Sequence, residues 1–158
     1  MNQANSDLII RQCSAADLDA LAPLFDDYRV FYGCVSNPAL AHAFLKARLQ
    51  HQQSVVFLAL RNNGTPLGFT QLYPSFSSVS AARIFILNDL FVRPEARRCG
   101  AGSRLLKAAA DFGASAGAVR LSLSTEINNL SAQALYSAHG WKRDDSFLHY
   151  DLALPPAA

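Results

Sequence analysis

The chain has 158 residues, of which 51% are hydrophobic and 16% are charged, and its formal net charge at pH 7 is +2. This length fits a single folded domain, residues 1–158, with a substantial buried core, and the hydrophobic fraction excludes the composition of disordered chains. The net charge is too small to indicate a nucleic-acid-binding protein, so any basic character that matters for function must be local.

Periodicity and turn residues predict a mixed α/β order of elements. Apolar residues at helical spacing follow the capping residue Ser14, and a second helix begins after Asn37, with Pro38 in its first turn. The sequence Asn62-Asn63-Gly64 predicts a hairpin turn between two strands. The predicted strands are 8–12, 54–61, 67–73, 83–92 and 120–124, with two final strands near Trp141 and at 147–152; the predicted helices are 15–28, 38–49, 102–116 and 130–139, and 74–80 is predicted to be a loop.

No feature of the sequence predicts secretion, a membrane span or a metal site. Residues 1–7 lack the basic and apolar regions of a secretory signal, and the longest apolar runs, such as 55–60, are far shorter than the ~20 residues that cross a bilayer. The three cysteines and four histidines have neither disulfide-framework nor zinc-ligand spacing. We therefore expect a cytoplasmic protein that binds neither membrane nor metal.

The segment 93–103 joins the longest predicted strand to a helix and carries two glycines, Gly100 and Gly102. Glycines at a helix start allow a ligand close to the backbone, and the free N–H groups there favour an anion. Arg97 and Arg98 add positive charge at the same place, which predicts a phosphate-bearing ligand. The segment lacks the Gly-Lys-Ser/Thr of a Walker loop, and Leu105 stands where a dinucleotide fingerprint needs its third glycine. An ordinary tight βα connection is the alternative interpretation.

A second candidate segment follows the 120–124 strand. It begins with Asn128-Asn129, continues to Leu135-Tyr136 and ends at Gly140-Trp141. Taken alone, Tyr136 fits a buried amphipathic aromatic residue better than a catalytic one.

Together, the two segments closely resemble the motifs of the GNAT superfamily of acetyl-CoA-dependent N-acetyltransferases. Residues 87–106 are similar to its central motif, in which Arg97, Gly100 and Gly102 match Gln/Arg-x-x-Gly-x-Gly/Ala, and Asn129 through Trp141 is similar to its second motif. The resemblance extends over nearly the whole chain. It implies an α/β (α+β) fold with a mixed, mostly antiparallel twisted sheet of six to seven strands, about four helices, and splayed central strands that form an acetyl-CoA cleft.

The resemblance also implies roles for individual residues. Backbone groups near the end of the central strand are expected to bind pantetheine, and the glycine loop is expected to bind pyrophosphate. Tyr136 is expected to protonate the departing thiolate. The expected cofactor-binding set is Leu90, Phe91, Val92, Arg97, Arg98, Cys99, Gly100, Ala101, Gly102, Ser103, Asn129 and Tyr136.

Segments 28–32, 73–78 and 87–92 resemble members that act on small amines, including the diamine/polyamine and thialysine acetyltransferases. Those enzymes commonly carry Glu-Asp where this chain has Asn88-Asp89, and a neutral amide has no useful basicity. Asp89 is therefore the first candidate for accepting the amine proton; Glu126 and ordered water are the others. Strand alternation predicts that Asp89 points away from Asn88, and a structural role at a β-bulge is the alternative for Asp89.

The acceptor amine is expected to bind at the end of the first helix. Acids and aromatic rings there can hold a cation, although a solvated acidic helix face explains the two adjacent acids equally well. Relatives of this kind are often homodimers, and we expect the same here. The expected substrate-binding set is Asp26, Asp27, Tyr28, Tyr32 and Asn88.

Three other functions compete with this interpretation. Gly113-Ala114-Ser115-Ala116-Gly117 matches the GxSxG pattern of hydrolases, but the predicted helix precedes the serine and a strand follows, the reverse of what that site needs. The basic residues of 93–107 offer a patch for nucleic acid, without a stacking ladder of aromatic residues. A non-catalytic acyl-CoA sensor is the third.

Overall fold

The computed structural model of the chain describes residues 7–155 and contains a five-stranded sheet in the order β1-β2-β3-β4-β5. Neighbouring strands are antiparallel except β4 and β5, which are parallel. The strands are β1 (Leu8–Gln12), β2 (Val55–Arg61), β3 (Pro66–Ser77), β4 (Ala82–Val92) and β5 (Leu121–Ser122); the helices are α1 (Leu18–Phe31), α2 (Pro38–Gln50), α3 (Ala101–Ser115) and α4 (Leu130–Ala138), with short 3-10 turns at Ala15–Asp17 and Pro94–Ala96.

Local sequence signals set the starts of the first two helices, as predicted. Ser14 and Asp17 form a capping box at the 3-10 turn Ala15–Asp17, which continues directly into α1; the Asp17 carboxylate accepts a hydrogen bond from the Ser14 N–H at 2.8 Å. Asn37 caps α2 through its side-chain oxygen, which accepts from the Leu40 N–H at 3.0 Å, and Pro38 occupies the first turn.

The two faces of the sheet are covered by different helices. Apolar residues of α3, including Leu105 and Leu106, pack with Phe85 and Leu87 on one face. The other face belongs to α1 and α2, whose buried residues pack against Phe69 and Phe91 of β3 and β4; these helix residues are Leu21, Leu24, Ala41 and Leu45. Burial of these apolar side chains in both layers fixes the sheet between the helices.

A β-bulge interrupts β4 at Asn88. Gln71 of β3 pairs with Asp89, but the next residue, Leu72, pairs with Leu87, which leaves Asn88 as an extra residue without a partner on β3. The extra residue shifts the alternation of β4 by one position. Consequently, the apolar side chains before and after the bulge can face the same layer.

Strands β4 and β5 separate after a short contact. Only Phe85 pairs with Leu121 and Ile86 with Ser122; no residue of β4 between 87 and Val92 is paired with β5 in the part of the chain that the structure describes. The expected splayed cleft is therefore present between the carboxyl end of β4 and the segment that follows β5.

The prediction of six to seven strands is wrong by one or two, because neither final strand is found. Within residues 7–155 no strand follows β5, and the side chains of 147–154 are exposed, with Phe147 at 73% and Leu152 at 84%. Alternation of apolar and polar residues predicts a strand only when a neighbouring strand supplies hydrogen bonds, and β5 has just two residues.

The ends of α1 and β3 also differ from the predictions. Helix α1 continues to Phe31, because its last turn packs aromatic rings against Phe91. Strand β3 continues through the predicted loop at 74–80 as far as Ser77, since Pro74 through Ser77 pair with β4.

Across residues 7–155 no helix combines the length and apolarity needed to cross a bilayer. The expected lack of a secretory signal concerns residues 1–6, which lie outside the described residues.

Candidate active site

The cleft beside β4 is lined by backbone N–H groups. The Arg93 N–H donates to the Leu67 carbonyl of β3 at 2.9 Å, so strand alternation turns the Phe91 N–H to the same side. The N–H groups of Leu90 and Val92 then point the other way, into the gap where β5 has ended. The half-buried side chains of these two residues pack on the α3 face, whereas the Phe91 side chain is buried on the α1 face.

The glycine loop ends at the first turn of α3. Gly100 is the N-cap and has φ +84°, a left-handed conformation that glycine adopts without strain; Arg98 has φ +62°. No side chain caps α3, so the N–H groups of Ala101, Gly102 and Ser103 are left for a ligand. The loop therefore has the geometry of an anion site at a helix start.

The arginines of this loop differ in what they contact. Arg97 donates from Nε to the Val92 carbonyl at 3.2 Å, and its guanidinium lies 5.8 Å from the centre of the Phe31 ring. Arg98 is exposed. The thiol of Cys99 is half-buried and donates to the Ala96 carbonyl at 2.7 Å.

The wider basic patch is partly neutralised by neighbouring acids. Arg93 Nε donates to an Asp27 carboxylate oxygen at 3.0 Å, and Lys107 pairs with Asp111 at 2.6 Å. The positive charge that faces outward is thus concentrated at the loop rather than spread over a surface suited to nucleic acid.

Asp89 is buried on the α1 face of β4, and side-chain amides hold both of its oxygens. Gln71 Nε2 donates to Oδ2 at 2.7 Å and Asn88 Nδ2 donates to Oδ1 at 3.0 Å; the Tyr28 hydroxyl faces the same carboxylate. The prediction that Asn88 and Asp89 point apart is wrong, because the bulge brings the amide beside the carboxylate. Burial raises the pKa of Asp89, and the bonds from Gln71, Tyr28 and Asn88 oppose that rise.

Three tyrosines gather around this carboxylate. Burial, followed by the charge of Asp89, raises the pKa of Tyr28, and the same two causes raise that of Tyr73 to about 12. Burial also raises the pKa of Tyr32, with Glu126 and then Asp89 as further causes. All three rings are therefore neutral phenols at pH 7. Sequence reasoning gave no role to Tyr73 or to Gln71.

The two adjacent acids at the end of α1 have different surroundings. Asp26 is buried, and its carboxylate accepts from the Ser36 hydroxyl at 2.5 Å and from the Asn37 N–H at 2.8 Å. These two bonds, Ser36 first, lower its pKa. Asp27 is exposed and pairs with Arg93. Of the five residues predicted for the acceptor, only the other three, Tyr28, Tyr32 and Asn88, lie beside Asp89.

Helix α4 brings Tyr136 to the same region. Its ring is half-buried, lies 6.1 Å from that of Trp141, and lines a cavity of about 550 Å³ between β5 and α4. Burial, and then the neighbouring Tyr32, raises the pKa of Tyr136. Asn129 caps α4, since its side-chain oxygen accepts from the Ala132 N–H at 3.2 Å.

The GxSxG segment is not a nucleophile site. It lies at the carboxyl end of α3, and the Ser115 hydroxyl donates to the Phe112 carbonyl of the same helix at 2.8 Å. A nucleophile elbow needs the serine between a strand and a following helix, so the hydrolase alternative is excluded.

Comparison with known proteins agrees with this geometry. The sequence model of the acetyltransferase (GNAT) family matches residues 21–141. The chain is 53% identical over 146 residues to an uncharacterized N-acetyltransferase, YhfO, of Bacillus subtilis (strain 168), covering 92% of this chain and 97% of that protein. It is 31% identical over 141 residues to a probable acetyltransferase of Haemophilus influenzae, covering 87% and 92%. The fold matches a crystal structure of a probable acetyltransferase with a TM-score of 0.88 and 43% sequence identity. The match covers 94% of this chain and 99% of the chain in that crystal structure. The chain therefore belongs to the GNAT family and is an acyltransferase.

Proposed function

We propose that this protein transfers the acetyl group of acetyl-CoA to a primary amine, either of a small molecule or of a lysine-like side chain, by direct attack of the amine on the thioester. The observation that carries the proposal is on β4. There a buried carboxylate, Asp89, is followed immediately by Leu90, whose free N–H points into the cleft. A base for the amine and a donor for the thioester oxygen are thus adjacent.

Acetyl-CoA has a continuous path along the cleft. The pantetheine arm follows the N–H groups of Leu90 and Val92, and the amide nitrogen of Asn129 is available from the other side. The pyrophosphate lies against the first turn of α3, with Arg97 and Arg98 beside it. Members of the family use acetyl-CoA, and the uncapped helix start fits its pyrophosphate.

The amine is proposed to bind as an ammonium ion among Tyr28, Tyr32 and Asp89. Aromatic faces and a carboxylate attract a cation, and the neutral phenols add no competing charge. Asn88 provides an amide where related small-amine enzymes have a carboxylate, and its hydrogen bond to Asp89 indicates that it orients that acid. Asp27 stays at the rim, paired with Arg93.

The reaction has three steps, and each proton that moves has a donor and an acceptor. The ammonium gives one proton to Asp89, and the free amine forms a bond to the thioester carbon while the Leu90 N–H stabilises the oxyanion. The tetrahedral intermediate then breaks its carbon–sulfur bond. Tyr136 gives a proton to the departing thiolate and recovers one from the acetylated nitrogen. The raised pKa of Tyr136 keeps it protonated at neutral pH, as an acid must be.

We also propose that the protein acts as a homodimer in the cytoplasm. Five large apolar side chains of the segment after α4 are at least 73% exposed, and a second copy would cover them; these are Phe147, Leu148, Tyr150, Leu152 and Leu154. Sedimentation equilibrium measures the mass directly, and a monomer at micromolar concentration would contradict this part of the proposal.

The decisive experiment measures thiol release from acetyl-CoA with a panel of polyamines, amino acids, aminoglycosides and lysine peptides. We expect saturable release with a small amine, reduced by about 10²- to 10⁴-fold in Asp89→Asn, which removes the base but keeps the shape. A reaction without amine corrects for hydrolysis. Tight acetyl-CoA binding with no release for any amine would instead support the sensor function.

A further inference from the structure

Gln71 lies on β3 directly opposite Asp89 and is completely buried, with 0% of its surface exposed. Its Nε2 donates to Asp89 Oδ2 at 2.7 Å. A buried amide costs free energy unless it is hydrogen-bonded, and an apolar residue at this position would extend the layer formed by Phe69 and Phe91. Packing alone therefore does not explain why a glutamine occupies this position.

The oxygen of the same amide has no partner among the described residues. Within the described residues, Gln71 Oε1 is buried and accepts no hydrogen bond. An unpaired buried acceptor destabilises the folded state, so the side chain bonds Asp89 at the expense of its own oxygen. Such a group is typical of a functional site, where the arrangement serves chemistry rather than stability.

We propose that Gln71 is a positioning residue that holds the Asp89 carboxylate ready to accept the amine proton and then stabilises the acid that forms. This inference rests on the proposed function. With Asp89 ionised, Gln71 donates from Nε2. After the ammonium has passed its proton to an Asp89 oxygen, a half-turn of the Gln71 amide brings Oε1 to accept from the new O–H.

The half-turn changes little else. In one orientation Oε1 is unpaired and in the other Nε2 is unpaired, so the number of bonds to Gln71 is the same before and after proton transfer. No further reactant is required, because the proton moves from nitrogen to carboxylate and leaves for solvent after the product departs. The amide thus supports both protonation states of Asp89.

The other groups that face Asp89 do not replace Gln71. Tyr28 and Tyr32 face it from the end of α1, Tyr73 from β3 and Asn88 from β4 itself; all are neutral at pH 7. The charged side chains of this region act on the tyrosines rather than on Asp89: Glu126 on Tyr32, and Arg48 on Tyr73. Among the groups that lower the pKa of Asp89, Gln71 has the largest effect.

The test compares Gln71→Met with Thr70→Val. Methionine keeps an unbranched side chain of similar volume but cannot donate. Thr70 is also completely buried, and its hydroxyl donates to the backbone carbonyl of Asp89 at 2.8 Å, not to the carboxylate. Thr70→Val therefore removes a neighbouring buried bond to the same residue and controls for loss of structure.

Two readouts are expected to separate these variants. In Gln71→Met the acidic limb of the profile of kcat/KM against pH moves to higher pH, with about a tenfold loss of kcat/KM below the limb. Both protonation states of Asp89 lose a bond, but the bond to the ionised carboxylate is charge-assisted and therefore the stronger one. In Thr70→Val the limb stays in place. A limb that stays in place in folded Gln71→Met, or that moves equally in both variants, would overturn the proposal.

An NMR titration of the unmodified protein tests the same inference without catalysis and without the risk of misfolding. We expect the side-chain amide resonances of Gln71 to shift with the same pH midpoint as the carboxyl carbon resonance of Asp89. That carboxyl resonance is assigned by its loss in Asp89→Asn. Amide resonances that stay constant while Asp89 titrates would contradict the half-turn. If no amine is acetylated while the two groups still titrate together, acetyl transfer fails but the coupling between Gln71 and Asp89 holds.

Discussion

Gly102 and Leu135 meet where α3 begins: a Cβ added to Gly102 would lie 3.2 Å from Leu135 Cδ2. Gly102 is in the first turn of α3, and Leu135 precedes Tyr136 on α4. The same glycine therefore leaves room for the proposed pyrophosphate and sets how closely α4, with its tyrosine, approaches the cleft.

Gly102→Ala is expected to weaken acetyl-CoA binding without unfolding the protein. Gly102 does not have a positive φ, and the one atom near the added Cβ is the end of the flexible Leu135 side chain, so alanine requires only a small displacement there. The added Cβ narrows the approach to the N–H groups, so we expect the calorimetric Kd to rise at least about tenfold, equivalent to roughly 1.4 kcal/mol.

The matched control is Gly113→Ala, at the other end of α3, where a Cβ would meet Leu121 Cδ1 at 2.7 Å. This variant places its strain far from the loop and should bind acetyl-CoA as the parent protein does. Equal affinities for all three proteins would show that the glycine loop does not hold the pyrophosphate.

Tyr136→Phe is expected to lower kcat by about 10²- to 10³-fold while the KM for acetyl-CoA changes little. The variant keeps the ring against Trp141 but loses the hydroxyl that would protonate the thiolate. Tyr150→Phe removes a hydroxyl from the segment after α4, outside the proposed acetyl-CoA path, and serves as the control. An undiminished kcat at saturating substrates would remove Tyr136 from the mechanism.

Features set by neighbouring residues could be predicted from the sequence, and features set by strand register could not. The caps at Ser14 and Asn37 and the glycine loop at Gly100 depend on residues within one turn, and each is found as expected. The bond between Gln71 and Asp89 joins residues 18 positions apart, and only the register of β3 against β4 brings them together.

The bulge and the end of α1 show the same limit. Alternation assigned Asn88 and Asp89 to opposite sides, and one extra residue in β4 reversed that result. Asp26 and Asp27 look equivalent as a pair of acids, but neighbouring helix positions differ by about 100° around the axis. Asp26 consequently contacts the connection to α2, whereas Asp27 pairs with Arg93, just after the end of β4.

Asp17 is expected to stabilise the fold only above acidic pH. Its bonds to Arg11 and Ser14 lower its pKa from 3.8 to about 2, with the Arg11 bond as the main cause. A lowered pKa means that the unfolded chain binds the extra proton, so the stabilisation is complete above pH 3.8 and is lost as the pH falls toward 2.

Urea unfolding of Asp17→Asn at pH 7 and at pH 2 tests this dependence. Half of the Arg11 side chain is exposed, so screening reduces the contribution to about 1 kcal/mol at pH 7. The difference from the parent protein should disappear near pH 2. Asp19→Asn, at a carboxylate that is 98% exposed, is the control, and an Asp17→Asn effect of equal size at both pH values would contradict the assignment.

The three cysteines provide an internal test of where acetyl-CoA binds. Cys34 is exposed, and Cys99 is half-buried in the glycine loop. Burial raises the pKa of Cys13 to about 12, so its reactive thiolate is nearly absent at neutral pH. We expect iodoacetamide to label Cys34 with or without CoA, to label Cys99 only without CoA, and to leave Cys13 unlabelled in the folded protein.

Site-resolved mass spectrometry after a short exposure distinguishes the three thiols in one sample. Because Cys34 reports the concentration of active reagent and Cys13 reports unfolding, slower labelling of Cys99 alone can come only from a change at the loop. Protection should increase with CoA concentration and follow the calorimetric Kd. Labelling of Cys99 at the same rate with and without saturating CoA would place the cofactor elsewhere, since a ligand bound to the first turn of α3 must restrict access to the residue immediately before Gly100.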